Sequence, residues 1–218
     1  TAEEIILTGI SKATDVAGGG RHMSNHFAKP EWNIHNVSSC TGNHTQHAAG
    51  VARALKYYNV KGVAISSQGE SSASEGSVYE AINGASREEL PVIFVFQDNG
   101  YGISVPKSDQ TANPRVSDNF LAFKNLNIIY CNGKDVFNSM NAMLKAKQTV
   151  LEKGRPVIVH ANCIRIGSHS NSDRQELYRS PEELQEARML DPLAKFRKIL
   201  LFSEKFSEDE LAAIELET

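Results

Sequence analysis

Four short runs rich in Val, Ile and Phe recur along the chain: the head of VAISSQGESSASEG (63–76), then PVIFVFQ (91–97), NIIYC (127–131) and VIVHA (157–161). Each is shorter than a typical helix and stops at glycine, aspartate or asparagine, so each predicts a strand. Around them, apolar residues at helical spacing predict helices over 2–13, 43–58, 74–88, 136–153, 181–202 and 207–217. Ile5, Ile6, Leu7 and Ile10 share a face of the first, which Thr14-Asp15 and Gly18-Gly19-Gly20 end. Ala48, Ala49, Val51, Ala52 and Leu55 give the second a small-residue face for close packing on a sheet. Val136, Met140, Met143 and Leu144 are the expected core face of the fourth, and Ser180-Pro181-Glu182-Glu183 is a good start for the fifth. Strands separated by helices of this length need right-handed crossovers, which makes a parallel sheet with helices on both faces, a three-layer α/β fold. Ligands of such sheets bind outside the carboxyl ends of the strands. Glu70, Asn99, Asp135 and the loop after residue 161 all fall on that edge.

With 218 residues and 40% hydrophobic content, one domain is the simplest reading. A net charge of -3 gives no basic footprint, so nucleic acid and anionic membranes are poor candidate partners. No apolar run approaches the roughly 20 residues of a membrane helix. Cys40, Cys131 and Cys163 lack Cys-x-x-Cys spacing and a secretory leader, and read as reduced intracellular thiols. The opening Thr1 points to a segment of a longer chain, and the acidic helix at 207–217 ends with no evident terminal cap.

The chemistry concentrates at two strand ends. At the first, Gly69 lets the backbone approach a ligand, Glu70 offers a hard carboxylate, and a helix opening at Ser74-Glu75 favours a phosphate. At the second, Asn99 supplies an amide oxygen and the bend at Gly100 can turn the Tyr101 carbonyl inward. Carboxylate, amide and carbonyl suit magnesium or calcium, with phosphate oxygens completing the shell. Taken singly, Gly-Glu-Ser and Asp-Asn-Gly are ordinary turn punctuation. Glu75, Glu80 and Asp98 read as a helix cap, a solvated face and a turn.

Gly69-Glu70-Ser71 followed by Gln97-Asp98-Asn99 resembles the thiamine diphosphate signature Gly-Asp-Gly…Asn-Asn. Glu70 replaces Asp, as in branched-chain members; Asp98 replaces the first Asn; Ser71 replaces a glycine that lets the diphosphate approach, which implies weaker cofactor affinity. GGRHMSNHF (19–27) and NIHNVSSCTGNHTQHAAGVA (33–52) are similar to segments of the alpha subunit of 2-oxo acid dehydrogenases. By that resemblance Ser39, Thr41, Gly69, Glu70, Ser71, Ser72 and Asn99 line thiamine diphosphate, while Glu70, Asn99 and the carbonyl of Tyr101 hold Mg2+. His26 is the loop histidine expected nearest the substrate; His22, His35, His44 and His47 read as surface or helix-packing residues.

The loop at 162–180, NCIRIGSHSNSDRQELYRS, is too polar for core and too long for a simple connection. His169 is its acid–base candidate, because imidazole titrates near neutrality. Arg165 can hold a carboxylate or phosphate oxygen, and Asp173 can order the loop by pairing with a cation. Its bland reading is a solvated loop with an incidental histidine. Arg-Ile-Gly-x-His-Ser-x-Ser-Asp is, however, very similar to the equivalent loop of the branched-chain alpha subunit. By resemblance, His169 serves in acyl transfer and binds cofactor, Arg165 binds cofactor and orders the loop, and Ser170 stands where animal relatives are phosphorylated.

The implied activity is oxidative decarboxylation of branched-chain 2-oxo acids, such as 3-methyl-2-oxobutanoate, with acyl transfer to lipoamide. Implied partners are a beta subunit or following fused domain, a lipoyl-bearing acyltransferase and the small 2-oxo acid, in an alpha2-beta2 assembly. The implied location is bacterial cytoplasm or mitochondrial matrix. Because the beta part supplies a catalytic glutamate in this family, the segment alone is expected to be inactive and to bind cofactor weakly. The alternatives are a pyruvate or acetoin dehydrogenase alpha subunit, and a non-catalytic phosphate-binding module.

Overall fold

The structure, a computed structural model, describes residues 1–22 and 26–217. The middle of the GGRHMSNHF segment, residues 23–25, lies outside the described residues. In chain order the main elements are α1 (Ala2–Gly9), α2 (His44–Tyr57), β1 (Ala64–Gly69), α3 (Gly76–Glu88), β2 (Val92–Asp98), the short β3 (Tyr101–Gly102) and β4 (Val105–Pro106), β5 (Asn127–Asn132), α4 (Val136–Lys153), β6 (Val157–Asn162), α5 (Pro181–Met189), α6 (Pro192–Phe202) and α7 (Glu208–Glu217).

The four predicted strands form one parallel sheet in the order β1-β2-β6-β5. Ala48 and Ala52 of α2 and Val78, Ile82 and Ala85 of α3 pack with Val92, Phe94, Phe96 and Ile158 on one face. On the other face Ala142, Ala146 and Val150 of α4 pack with Ile93, Val157 and Val159. This is the expected three-layer α/β arrangement. The helix joining β1 to β2 and the helix joining β5 to β6 lie on opposite faces. The connections therefore diverge between β2 and β6, where such sheets open a crevice at their carboxyl ends. Register brings those ends level: Gly69 pairs with Gln97, Asp98 with Asn162, and Asn132 with Asn162.

Four expectations need correction. The first helix ends at Gly9, since Ser11 adopts left-handed backbone (φ 54°), and Ile5, Ile6 and Ile10 are exposed. On α4 the residues Val136, Met140 and Leu144 face outward; the helix seats on the sheet through Ala142 and Ala146, whose short side chains permit the closer approach. The segment 181–202 is two helices rather than one. Pro192 has no N–H to continue the first, and the Asp191 carboxylate caps the second by accepting the Leu193 N–H at 2.9 Å. Lastly, α3 begins at Gly76, because residues 72–74 form a separate 3-10 turn.

Candidate functional site

On β1 the side chains of Ala64, Ser66 and Gln68 project to one buried face, and Glu70, just past the strand end, is buried in turn. The alternation of the strand carries the polar end of this series to the crevice edge. Glu70 is 1% exposed. Its Oε2 accepts the Asn99 N–H at 3.0 Å, while Oε1, equally buried, has no hydrogen-bond partner among the described residues. Burial raises the Glu70 carboxyl above its usual range, and the Asn99 hydrogen bond opposes this without cancelling it. An ionised carboxylate oxygen in this state is a donor waiting for a cation.

Asn99, one residue past β2, lies next to Glu70 through that N–H bond, since β1 and β2 pair up to Gly69 and Gln97. Its Oδ1 accepts the Tyr101 N–H at 3.3 Å, and Gly100, at φ +87°, makes the bend that only glycine adopts without strain. Glu70, Asn99 and Tyr101 are thus brought together. Ser71 sits against the same hairpin: a Cβ built on Gly102 would fall 2.3 Å from Ser71 Oγ and 2.7 Å from Ser71 Cβ. Ser74 Oγ donates to the Glu70 carbonyl at 3.2 Å, so the 3-10 turn is bonded back onto the strand end. Gly42, at φ +77°, lies where its added Cβ would meet the Ser72 carbonyl and Val78, so the backbone just after Thr41 packs close to Ser72. Ser39 Oγ is 3.3 Å from His26 Nε2, so these two candidates also meet. Asp135 shares the edge but not the site. Its carboxylate caps α4 through Asn138 N–H (3.0 Å) and pairs with Lys195, so three strand ends converge where four were expected.

The polar loop after β6 is tied down. Arg165 donates to the Ile103 carbonyl (2.8 Å) and to Tyr178 Oη (2.7 Å), with its guanidinium over the rings of Tyr101 and Tyr178. Its Nε is buried without a partner among the described residues. Tyr178 in turn donates to Asp173 (2.6 Å), which also accepts the His169 N–H (2.8 Å). Those two bonds hold the Asp173 carboxyl below its usual range. Asp173 therefore orders the loop through a phenol and a backbone amide, not through the direct ion pair with a cation that its charge led us to expect. His169 and Ser170 stay exposed.

The sequence reading gave Lys107 and His160 no role, and took Arg179 and Glu183 only as the end of the loop motif and the start of a helix. Arg179 is buried and bonds Glu183, Gln175 and the Arg165 carbonyl, fixing the loop to α5. Asp98, read as a turn residue, is 2% exposed and bonded by Lys107 (2.6 Å) and His160 (3.1 Å). Burial alone would raise its carboxyl; the bonds from His160 and Lys107 outweigh that and hold it below its usual range. A histidine inside the otherwise apolar VIVHA run was the available signal, since a buried polar residue needs a partner.

The description of one family, Dehydrogenase E1 component, fits residues 1–218, the whole chain. The chain belongs to that family. Among relatives of the E1 component, the 2-oxoisovalerate dehydrogenase subunit alpha of Bacillus subtilis is 31% identical over 221 residues, covering 98% of this chain and 67% of that protein. The mitochondrial 2-oxoisovalerate dehydrogenase subunit alpha of Homo sapiens is 32% identical over 194 residues, covering 88% of this chain and 43% of that protein. The Arabidopsis thaliana mitochondrial subunit alpha 2 is 32% identical over 183 residues, covering 83% and 38%. The chain thus spans about two thirds of the bacterial relative and less than half of the mitochondrial ones. The resemblance to branched-chain alpha subunits is borne out at the level of these relatives.

As a cofactor site the residues fit. The crevice offers one orphaned carboxylate oxygen and an amide, which are hard donors. No group of three His, Cys, Asp or Glu side chains able to hold a metal exists among the described residues, so a cation here needs oxygens from a ligand as well. Among the described residues no helix is long and apolar enough to cross a membrane.

Proposed function

We propose that this chain is the alpha part of a decarboxylating 2-oxo acid dehydrogenase component that uses thiamine diphosphate and Mg2+. Its substrates are branched-chain 2-oxo acids such as 3-methyl-2-oxobutanoate, and the acyl group passes to lipoamide. The observation that carries this reading is the unpartnered Glu70 oxygen beside Asn99 at the crevice between β1, β2 and β6. The names of the relatives support the substrate class.

Thiamine diphosphate, when bound, supplies the electron sink that lets carbon dioxide leave a 2-oxo acid. Glu70, Asn99 and the Tyr101 carbonyl would hold Mg2+ against its diphosphate. Ser39, Thr41, Gly69, Ser71 and Ser72 would line it. Arg165 orders the loop and keeps one buried N–H for an anion. His169, exposed on that loop, moves a proton at its imidazole during acyl transfer, and His26, beside Ser39, is the loop histidine nearest the substrate. A beta subunit or fused domain completes the site, in an alpha2-beta2 assembly served by a lipoyl-bearing acyltransferase. The chain described here is one domain of that longer protein.

The test is dye-linked decarboxylation by the full-length protein with its beta partner, magnesium and thiamine diphosphate, on 3-methyl-2-oxobutanoate and on pyruvate. Branched-chain turnover that Glu70→Ala and His169→Ala abolish is the expected result. A preference for pyruvate would retain the mechanism and replace the substrate. A folded, assembled protein without turnover on either would leave a non-catalytic module.

A further inference from the structure

Asp98 lies one residue before Asn99, on the β2 end that faces β6, and every oxygen it has is engaged. Its Oδ1 accepts the Gly100 N–H at 3.1 Å. Its Oδ2 accepts Lys107 Nζ at 2.6 Å and His160 Nε2 at 3.1 Å; a carboxylate can only accept, so the histidine carries its proton on Nε2. Its carbonyl accepts the Cys163 N–H at 2.7 Å. The ring then closes, because the Lys107 N–H donates to the Gly100 carbonyl at 2.8 Å. The turn through Asn99, Gly100 and Tyr101 is therefore held from inside by Asp98 and from outside by the backbone of Lys107.

We propose that Asp98, clamped by Lys107 and His160, is a positioning residue that fixes the Asn99–Gly100–Tyr101 turn in the geometry a divalent cation requires beside Glu70. This rests on the metal reading given under Proposed function. Two features of the cluster point to positioning rather than to packing alone. The turn it holds reaches Glu70 directly, since the Asn99 N–H bonds Glu70 Oε2, so any rotation of the turn changes the spacing of the two side chains that would share a cation. The charge arrangement is also selective. Lys107 neutralises Asp98, while Glu70, buried next to the turn, makes no ion pair among the described residues and stays available to a cation. Sites of this kind tolerate displacements of only about 0.5 Å, which gives a buried carboxylate bonded to the turn direct leverage over them.

The test compares two double variants in the assembled, full-length protein: Asp98→Asn/Lys107→Met, which keeps an acceptor for the Gly100 N–H, and Asp98→Ala/Lys107→Met, which removes it. Both replace the ion pair by neutral groups. Calorimetry measures the magnesium needed to bind thiamine diphosphate, and hydrogen exchange follows the Gly100 and Tyr101 amides without any cofactor. We expect the asparagine pair to stay near wild type. The alanine pair should need roughly 10- to 100-fold more magnesium, the loss typical of an outer-shell partner, with faster exchange at Gly100. If the alanine pair does not fold, Asp98→Leu/Lys107→Met fills the same space without an acceptor and should behave likewise. Equal magnesium requirements and equal exchange in the two variants, alongside normal binding by the wild type, would overturn this inference and leave the metal reading intact. A folded, assembled wild type that binds no thiamine diphosphate with magnesium would overturn the metal reading and this inference with it.

Discussion

The ends of β1 and β2 lie side by side and each buries a carboxylate, yet the fold treats the two in opposite ways. Asp98 receives two side-chain donors and a backbone amide, and its proton affinity falls. Glu70 receives one amide on one oxygen and nothing on the other, and its proton affinity rises. Burial is nearly the same at both, so it cannot explain the difference. Partners decide it: a buried carboxylate with a full set of donors is a structural tie, and one left half-bonded at the edge of a parallel sheet is a binding group.

Replacing the binding group should have the largest effect. Glu70→Gln should lose magnesium-dependent cofactor binding by more than the roughly 100-fold ceiling of outer-shell changes, measured by calorimetry. The same substitution should stabilise the protein free of metal at neutral pH. A raised carboxyl destabilises the fold when ionised, so wild-type stability is lost as pH rises from 4.5, the ordinary glutamate value, through the higher native value. The gap between wild type and Glu70→Gln should widen over that window, and magnesium with thiamine diphosphate should close it. Equal pH profiles for the two would remove the contrast drawn above.

Breaking the structural tie comes next. Asp98→Ala alone strands Lys107 beside a desolvated cavity and should cost about 3 kcal/mol in urea unfolding, whereas Asp98→Asn/Lys107→Met should recover most of it. Here the pH dependence runs the other way. The contribution of Asp98 is complete above 3.8 and is lost as pH falls through its depressed native value.

The hairpin between the two ends supplies smaller tests. Gly102→Ala drives a Cβ into Ser71 and should cost about 1–3 kcal/mol as an overpacked contact. Adding Ser71→Gly should restore most of this, since it removes both clashing atoms. Smallest is Ile103, a β-branched residue at φ +58° whose carbonyl receives Arg165. Ile103→Gly relieves about 1–2 kcal/mol of backbone strain and adds back about 0.5–1 kcal/mol of chain entropy. A net gain below about 1 kcal/mol is expected, readable as a small rise in thermal midpoint.

Much of this was readable in advance because the relevant signals are local. The four strands were legible from their β-branched runs, and the placement of Glu70 and Asn99 at one edge followed from strand direction alone. The burial of α4 was misread because Met140 and Leu144 look like core by type. What seats the helix is the smaller pair Ala142 and Ala146, and closeness of approach is not written in hydrophobicity. The break at Asp191-Pro192 was present in the sequence and was overlooked; proline at the first position of a helix is as common a start as it is a stop.

By itself the sequence determined the sheet, its direction and the oxygen-bearing residues at its edge, because hydrophobic period and turn chemistry act over a few residues. It marked Glu70 as the ligand carboxylate and Asp98 as a turn residue, but did not show that Asp98 is a buried carboxylate tied by two side-chain donors. The role of Asp98 was decided by Lys107, nine positions along, which the β3–β4 hairpin folds back onto it, and by His160, sixty-two positions along, which arrives only when β6 inserts beside β2. Desolvation and hydrogen bonding depend on what surrounds a group in space, so the same buried carboxyl becomes a tie or a ligand according to its tertiary neighbours.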